Sequence, residues 1–236
     1  MGHFLRALFA IALFPFAWAI SSAALDAFLM IPVPANAIVS PAVLSLTAGF
    51  IVFLIAWMTL PTPVRFYVLG HELTHALWGV LFFARVSNLK VGVKGGSVQL
   101  SKSNVWITLA PYFFPFWTMV VVVTALVTRC FVSPLPWTWL WFFAVGFTWC
   151  LHCCFTIKSL MQKQPDIEEY GYVFSYTFIW IFNLVGVIIW IVCTSEVTWA
   201  DVGQRLLFRT DSAYRHVGAA AVGLYESVRA LPFLQK

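Results

Sequence analysis

Hydrophobic residues fill long intervals of this chain, and the few charged residues mark where the intervals end. Five intervals are free of charged residues, and one more is apolar except for His71, Glu72 and His75. A helix needs about 20 apolar residues to cross a bilayer. The pattern therefore predicts an all-α polytopic membrane protein with about six transmembrane helices. The predicted spans are residues 7–25, 43–60, 66–84, 103–128, 130–157 and 170–195.

The first interval has a second interpretation. Arg6 provides a basic start, an apolar run continues to Ile20, and residues 21–24 are all small. This arrangement is also typical of a cleavable signal peptide over residues 1–24.

Two segments break the apolar pattern. Residues 85–104 form two short alternating runs around the glycine turn at residues 94–96, which predicts a β-hairpin between the third and fourth helices. In residues 196–236, apolar residues recur at helical spacing and arginines lie between them. This pattern favours an amphipathic helix on the membrane surface over a solvated tail. We therefore expect a membrane domain over residues 1–195 and a separate C-terminal segment.

The amino-acid composition indicates that most of the chain is surrounded by lipid. Hydrophobic residues make up 61% of the chain and charged residues 10%, against about 25% charged in soluble domains. The net charge of +5 indicates contact with anionic lipid headgroups. The chain has no stripe of basic residues interleaved with aromatic residues, which is the pattern that would indicate nucleic-acid binding. The sequence predicts an integral, multi-pass membrane protein, and leaves its oligomeric state open.

The third interval carries candidate catalytic chemistry. His71 and His75 are four residues apart, so their imidazoles lie on one helical face and can share a metal ion. Glu72 is adjacent and can take a proton from water without being a ligand. Zinc lowers the pKa of a bound water to about 7. This HExxH pattern is typical of zinc-dependent amide hydrolysis.

An internal cluster of hydrogen bonds is the alternative interpretation of these residues. However, a charged side chain at the centre of a membrane helix costs about 2.5–3.5 kcal/mol on insertion scales, so such residues indicate function by default. We therefore predict a Zn²⁺ site with Glu72 as the catalytic base.

The chain resembles the site-2 protease family of intramembrane zinc metalloproteases. The resemblance covers about residues 62–190 and rests on the HExxH helix, the hairpin after it, and the Ala110-Pro111 step before the next span. It implies cleavage of a peptide bond within or beside a membrane-spanning segment of another protein. It also implies a hairpin beside the active-site cleft, two histidine ligands, a glutamate base and an aspartate ligand from a later helix.

The third ligand is open to several interpretations. The family's Asn-x-x-Pro-x-x-x-Leu-Asp-Gly motif is absent, and Gln164-Pro165-Asp166-Ile167 is the nearest substitute. Depth in the membrane favours His152, because Asp166 starts at the surface. Charge balance favours Asp166, because a carboxylate lowers the net charge of a buried Zn²⁺. We predict Asp166, with His152, Glu168 and Glu169 as alternatives.

The sequence thus predicts a membrane-embedded zinc metallopeptidase whose partners are membrane-protein substrates. Two alternatives stay open. One is a zinc endoprotease of the prenyl-protein (CAAX) type, which takes a glutamate as third ligand. The other is a non-catalytic membrane protein that uses the histidine pair for a structural metal or a proton relay.

Overall fold

The computed structural model describes residues 2–32, 40–93 and 95–230. Within these ranges lie nine α-helices, a short 3₁₀ helix and a two-stranded antiparallel hairpin. In chain order they are α1 (His3–Leu29), α2 (Pro41–Thr59), α3 (Val64–Leu81), β1 (Val86–Gly92), β2 (Gly95–Leu100), α4 (Val105–Leu109), the 3₁₀ helix (Ala110–Tyr112), α5 (Phe116–Phe131), α6 (Thr138–Leu160), α7 (Pro165–Tyr170), α8 (Tyr172–Thr194) and α9 (Trp199–Arg229). The predicted helical class and hairpin are confirmed, although Lys94 of the predicted turn lies outside the described residues.

Among the described helices, α1, α2, α6 and α8 are long and apolar enough to cross a membrane. The segment Val105–Tyr112 and α5 would make a fifth span if the two are taken as one membrane crossing. The sequence predicted about six. One of the predicted spans is missing at α3, which forms as expected over 18 residues but carries ionisable residues in place of apolar ones.

Prolines account for two further corrections. The predicted fourth span is broken, with a bend of 85° between the segment that ends at Tyr112 and the start of α5. Pro111 and Pro115 lie at this break, where proline cannot donate the backbone hydrogen bond that a continuous helix needs. The fifth span begins at Thr138 rather than at residue 130, because Pro134 and Pro136 stand before it.

The helices fall into two units, and one of them contains α1, α8 and α9. Its core is built from alanine and isoleucine side chains of α1 and α8, with Val202 of α9. A capping box between Thr198 and Asp201 starts α9. Arg209 of α9 then donates to both carboxylate oxygens of Asp26 at 2.8 Å. The first half of the predicted amphipathic helix therefore packs on α1.

The other unit contains α2 to α7 and the hairpin. Two glycines let α2 and α6 approach closely. A Cβ atom at Gly49 would collide with the backbone carbonyl of Phe143, and one at Gly146 would collide with that of Leu46. Beside this contact, Phe53 of α2 and the α6 residues Cys150, Leu151 and Phe155 form the core. The backbones of α2 and α6 therefore pack directly against each other at these two glycines.

The hairpin lies along α3. Leu100 of β2 packs at Gly79, near the end of the helix, and Gly96 lies against Val68 and Glu72, about two to three turns earlier. The strand therefore follows the same helix that carries the HExxH residues.

Candidate metal centre

Three potential ligand atoms converge between α3 and α7. His71 Nε2 and His75 Nε2 are 3.2 Å apart. Asp166 Oδ2 lies 3.3 Å from the first and 3.4 Å from the second. All three residues belong to one group that could hold a metal ion. The helical spacing of four residues accounts for the first pair, and α7 supplies the third atom.

These distances suit a tetrahedral zinc ion. Nitrogen and oxygen ligands stand about 2.0–2.1 Å from Zn²⁺, so two ligands of a regular tetrahedron are about 3.3 Å from each other. Two imidazole nitrogens and one carboxylate oxygen are also the donor types that catalytic zinc sites use. The residues therefore fit Zn²⁺ both in chemistry and in spacing.

Hydrogen bonds on the far side of each imidazole leave Nε2 free to act as a ligand. His75 Nδ1 lies 2.8 Å from the carbonyl oxygen of Ile107, which can only accept, so Nδ1 carries the proton. His71 Nδ1 lies 3.3 Å from the Tyr67 hydroxyl, which is 2.8 Å from Ser159 Oγ. Such outer contacts orient histidine ligands in metal sites.

Asp166 reaches this position because α7 turns inward. Pro165 starts the six-residue helix, as its fixed backbone angle allows, and Ile167 next to Asp166 is fully buried. Burial would raise the pKa of Asp166, but the two imidazoles near Oδ2 outweigh it and hold this pKa below its usual range. The side chain is therefore a carboxylate at neutral pH.

Glu72 is buried beside the cluster, with 7% of its surface exposed. Its Cγ would lie 2.7 Å from a Cβ atom at Gly96, so the hairpin covers this side chain at close range. The predicted base, which follows His71 in α3, therefore lies against β2.

The alternative third ligands lie elsewhere. His152 is buried on α6 and lines a cavity that His71 also lines, but it is not part of the three-residue group. Glu168 and Glu169 are exposed on α7. The structure therefore brings Asp166, and not these three, to the histidine pair.

Sequence reasoning did not identify two tyrosines at the site. The hydroxyl of Tyr112, in the 3₁₀ helix, donates to Asp166 Oδ2 at 3.1 Å, and the Tyr112 ring meets that of His71 edge-on at 5.4 Å. Tyr67 could have been found from its spacing, because it precedes His71 by four residues on the same helical face. The sequence signal for Tyr112 is weaker. It is only the general rule that the hydroxyl of a buried tyrosine usually needs a hydrogen-bond partner.

Comparison of this chain with protein-family models, with curated proteins and with solved structures finds no match.

Proposed function

We propose that this chain is an integral membrane zinc endopeptidase, similar to the site-2 proteases, that cleaves membrane-protein substrates. The observation that carries the proposal is the convergence of His71 Nε2, His75 Nε2 and Asp166 Oδ2 within 3.2–3.4 Å, beside the buried Glu72. A pair of histidines with one carboxylate is a donor set of hydrolytic zinc enzymes, which leave the fourth position for water or substrate.

Each residue has a separate role in this proposal. His71, His75 and Asp166 would hold the zinc ion, which would supply a Lewis acid for the substrate carbonyl and lower the pKa of water. Glu72 accepts the proton that water loses as its oxygen bonds to the carbonyl carbon. The same carboxyl group then donates that proton to the amide nitrogen as the carbon–nitrogen bond breaks. Ile107 and Tyr112 keep His75 and Asp166 in place.

The test separates ligands from base. We expect His71→Ala, His75→Ala and Asp166→Ala to lose zinc, and Glu72→Gln to retain zinc but lose cleavage of apolar single-span peptides in detergent. Zinc is measured by elemental analysis of the purified proteins, and cleavage by mass spectrometry. A Glu72→Gln variant that cleaves at the parent rate would contradict the hydrolase proposal.

His152→Ala is the matched control for the third ligand. It removes a buried imidazole near the site without removing a member of the converging group, so we expect zinc to stay. Zinc lost from His152→Ala but kept by Asp166→Ala would reverse the assignment.

The same variants test the alternative functions. A structural metal or a proton relay needs no peptide cleavage, so a zinc-containing parent protein that cleaves none of the peptides would favour that class. A prenyl-protein type of endoprotease would take a glutamate as third ligand. The nearby Glu168 and Glu169 are exposed, which favours Asp166 and with it the site-2 type.

A further inference from the structure

A second cavity, which we call the α1–α9 cavity, lies in the unit of α1, α8 and α9. It is open and has a volume of about 250 Å³. Water takes about 30 Å³ in the liquid, so the cavity has room for a polar group much larger than one water molecule. The lining includes Asp26 and Met30 at the end of α1, and Asp201, Arg205, Phe208 and Arg209 of α9.

Two candidate membrane spans end close to the α1–α9 cavity. α1 ends at Leu29 and α8 at Thr194, and both are long and apolar enough to cross a membrane. Ala27 and Ile191, near these two ends, belong to one core cluster, so both spans end on the same side. Polar headgroups lie just outside the hydrocarbon core of a bilayer. We therefore expect the cavity to lie at the level of the headgroups.

One arginine of the cavity is paired and the other is not. Arg209 donates to both carboxylate oxygens of Asp26 at 2.8 Å, so these two charges balance. Arg205 directs Nε to the sulfur of Met30 at 2.9 Å, and its Nη1 atom stays 3.9 Å from Asp26 Oδ2. The Arg205 side chain is 44% exposed, and its Nη groups donate no hydrogen bond to the described residues. They can therefore bind an anionic group that enters the cavity.

Asp201 supplies the opposite charge. Its Oδ2 atom accepts from the backbone N–H of Thr198 at 2.9 Å and from the Thr198 hydroxyl at 2.6 Å, both at the surface. Aspartate and arginine four residues apart on a helix commonly pair, yet the described residues show no ion pair between Asp201 and Arg205. Thr198 holds the carboxylate, and Met30 holds the guanidinium. The cavity thus presents a carboxylate and a guanidinium that are not joined to each other.

We propose that the α1–α9 cavity binds the headgroup of a zwitterionic phospholipid that has a primary ammonium group. Its phosphate would lie at Arg205, whose planar guanidinium matches phosphate oxygens, and its ammonium would donate to Asp201. Two arginines and two aspartates line the cavity, so its formal charge is balanced. Such a lining suits a headgroup that carries both charges better than an anionic one. Phe208, which is 67% exposed, provides apolar surface for the lipid chains.

The test measures lipid binding to the purified full chain in detergent by native mass spectrometry. The probes are phosphatidylethanolamine, phosphatidylcholine and phosphatidylglycerol with the same acyl chains. We expect Kd for phosphatidylethanolamine to be about tenfold lower than for the other two, the effect of one charge-assisted hydrogen bond. Phosphatidylcholine has no N–H group to donate to Asp201, and phosphatidylglycerol has no cation.

Two variants test the two ends of the headgroup. Arg205→Met keeps an apolar stem but removes the guanidinium, so Kd for phosphatidylethanolamine should rise about tenfold. Asp201→Asn keeps an oxygen for the N–H of Thr198 but removes the charge. It should abolish the preference for phosphatidylethanolamine and, because the lining is then positive, favour phosphatidylglycerol. Arg215→Met and Asp211→Asn change an exposed ion pair of the same helix and are the matched controls, which should leave every Kd unchanged.

Lipid binding needs neither zinc nor turnover, so its outcome is independent of the proposed peptidase function. Equal Kd values for the three lipids, or a preference for phosphatidylglycerol, in the parent protein would overturn the headgroup site. A preference for phosphatidylethanolamine that Asp201→Asn leaves unchanged would also overturn it, whether or not Arg205→Met folds. Glycerophosphoethanolamine, the headgroup without acyl chains, should compete much more weakly than the lipid. Equal competition would overturn the lipid as the ligand in favour of a soluble phosphate ester.

Discussion

At the scale of single residues, the candidate ligands are held by groups that do not themselves reach the centre. Ile107 accepts from His75 through its backbone carbonyl, and Tyr112 donates to Asp166 through its hydroxyl. Partners of this kind fix the orientation of a ligand and are worth about 10–100-fold in metal affinity or activity. Tyr112 can be tested by itself, because its hydroxyl can be removed without its ring.

We predict that Tyr112→Phe binds zinc about 10–100-fold more weakly than the parent protein. The remaining ring still packs edge-on against His71, so the fold should be retained. The measurement is zinc release to a competing chelator, followed with purified protein in detergent. Tyr225→Phe, on the exposed part of α9, is the control. Equal zinc affinity of parent and Tyr112→Phe would show that the hydroxyl does not support the site.

The two histidines could be predicted because their relation is local. A spacing of four residues fixes their relative position in any helix. The approach of Asp166 could only be argued from charge and from the length of the preceding loop, since depth pointed to His152. The Tyr112 and Ile107 contacts could not be predicted, because they join α3 and α7 to a break in another helix whose direction the sequence does not fix.

At the scale of elements, the α2–α6 contact depends on two glycines that the sequence pattern did not single out. We predict that Gly146→Ala destabilises the protein by about 1–3 kcal/mol, the usual cost of overpacking. Its Cβ would meet the backbone of Leu46, which cannot rotate away. The measurement is unfolding in detergent, followed by circular dichroism.

Gly186→Ala is the matched control for this prediction. Gly186 lies within α8, and a Cβ atom there would meet nothing within 4 Å. Because alanine favours helix over glycine by up to about 1 kcal/mol, this variant should be as stable as the parent or slightly more so. Equal stability of the Gly146 and Gly186 variants would show that α2 and α6 can separate without loss.

The hairpin element supports the candidate base. A Cβ atom at Gly96 would lie 2.7 Å from Glu72 Cγ and 2.8 Å from the backbone oxygen of Lys90 on the paired strand. We predict that Gly96→Val lifts β2 from Glu72 and lowers peptide cleavage about tenfold to a hundredfold, because small misplacements of catalytic groups have effects of this size. Zinc should be retained, since no ligand contacts Gly96. Elemental analysis and cleavage rates measure both effects.

Ser97→Val is the control, because it changes the next, exposed residue of the same strand. A zinc-loaded Gly96→Val protein that cleaves at the parent rate would show that the hairpin does not position Glu72.

The helices and the hairpin could largely be predicted from the sequence. Apolar runs predict the helices and the alternation of apolar and polar residues predicts the strands, because both patterns are local. Two of the errors came from prolines inside apolar runs, and one from the ionisable residues of α3. The interval 103–128 was long enough for one span, yet Pro111 and Pro115 divide it into a short segment and α5. Hydropathy measures how well residues suit lipid, and it does not detect a missing backbone hydrogen bond.

At the scale of the whole molecule, this break determines how the chain is threaded through the membrane. The segment Val105–Tyr112 has eight residues, about 12 Å, and α5 has 16 residues, about 24 Å. The two limbs of a re-entrant loop must cover the same depth, because the chain returns to the face from which it entered. Here the limbs are unequal and meet at 85°. The geometry suits a short limb that lies nearly parallel to the membrane plane and a second limb that crosses.

We therefore predict that α5 crosses the membrane and makes the fifth span. Its 24 Å is shorter than a hydrocarbon core of about 30 Å, a mismatch that local thinning of the bilayer accommodates at modest cost. Single cysteines at Val93, in the hairpin, and at Val132, just after α5, should then react with a membrane-impermeant maleimide from opposite faces of sealed vesicles. The background replaces the five native cysteines by alanine, and permeabilised vesicles, in which both sites should react, are the control. Reaction of both sites from one face would instead make α4 and α5 a re-entrant loop and leave four spans.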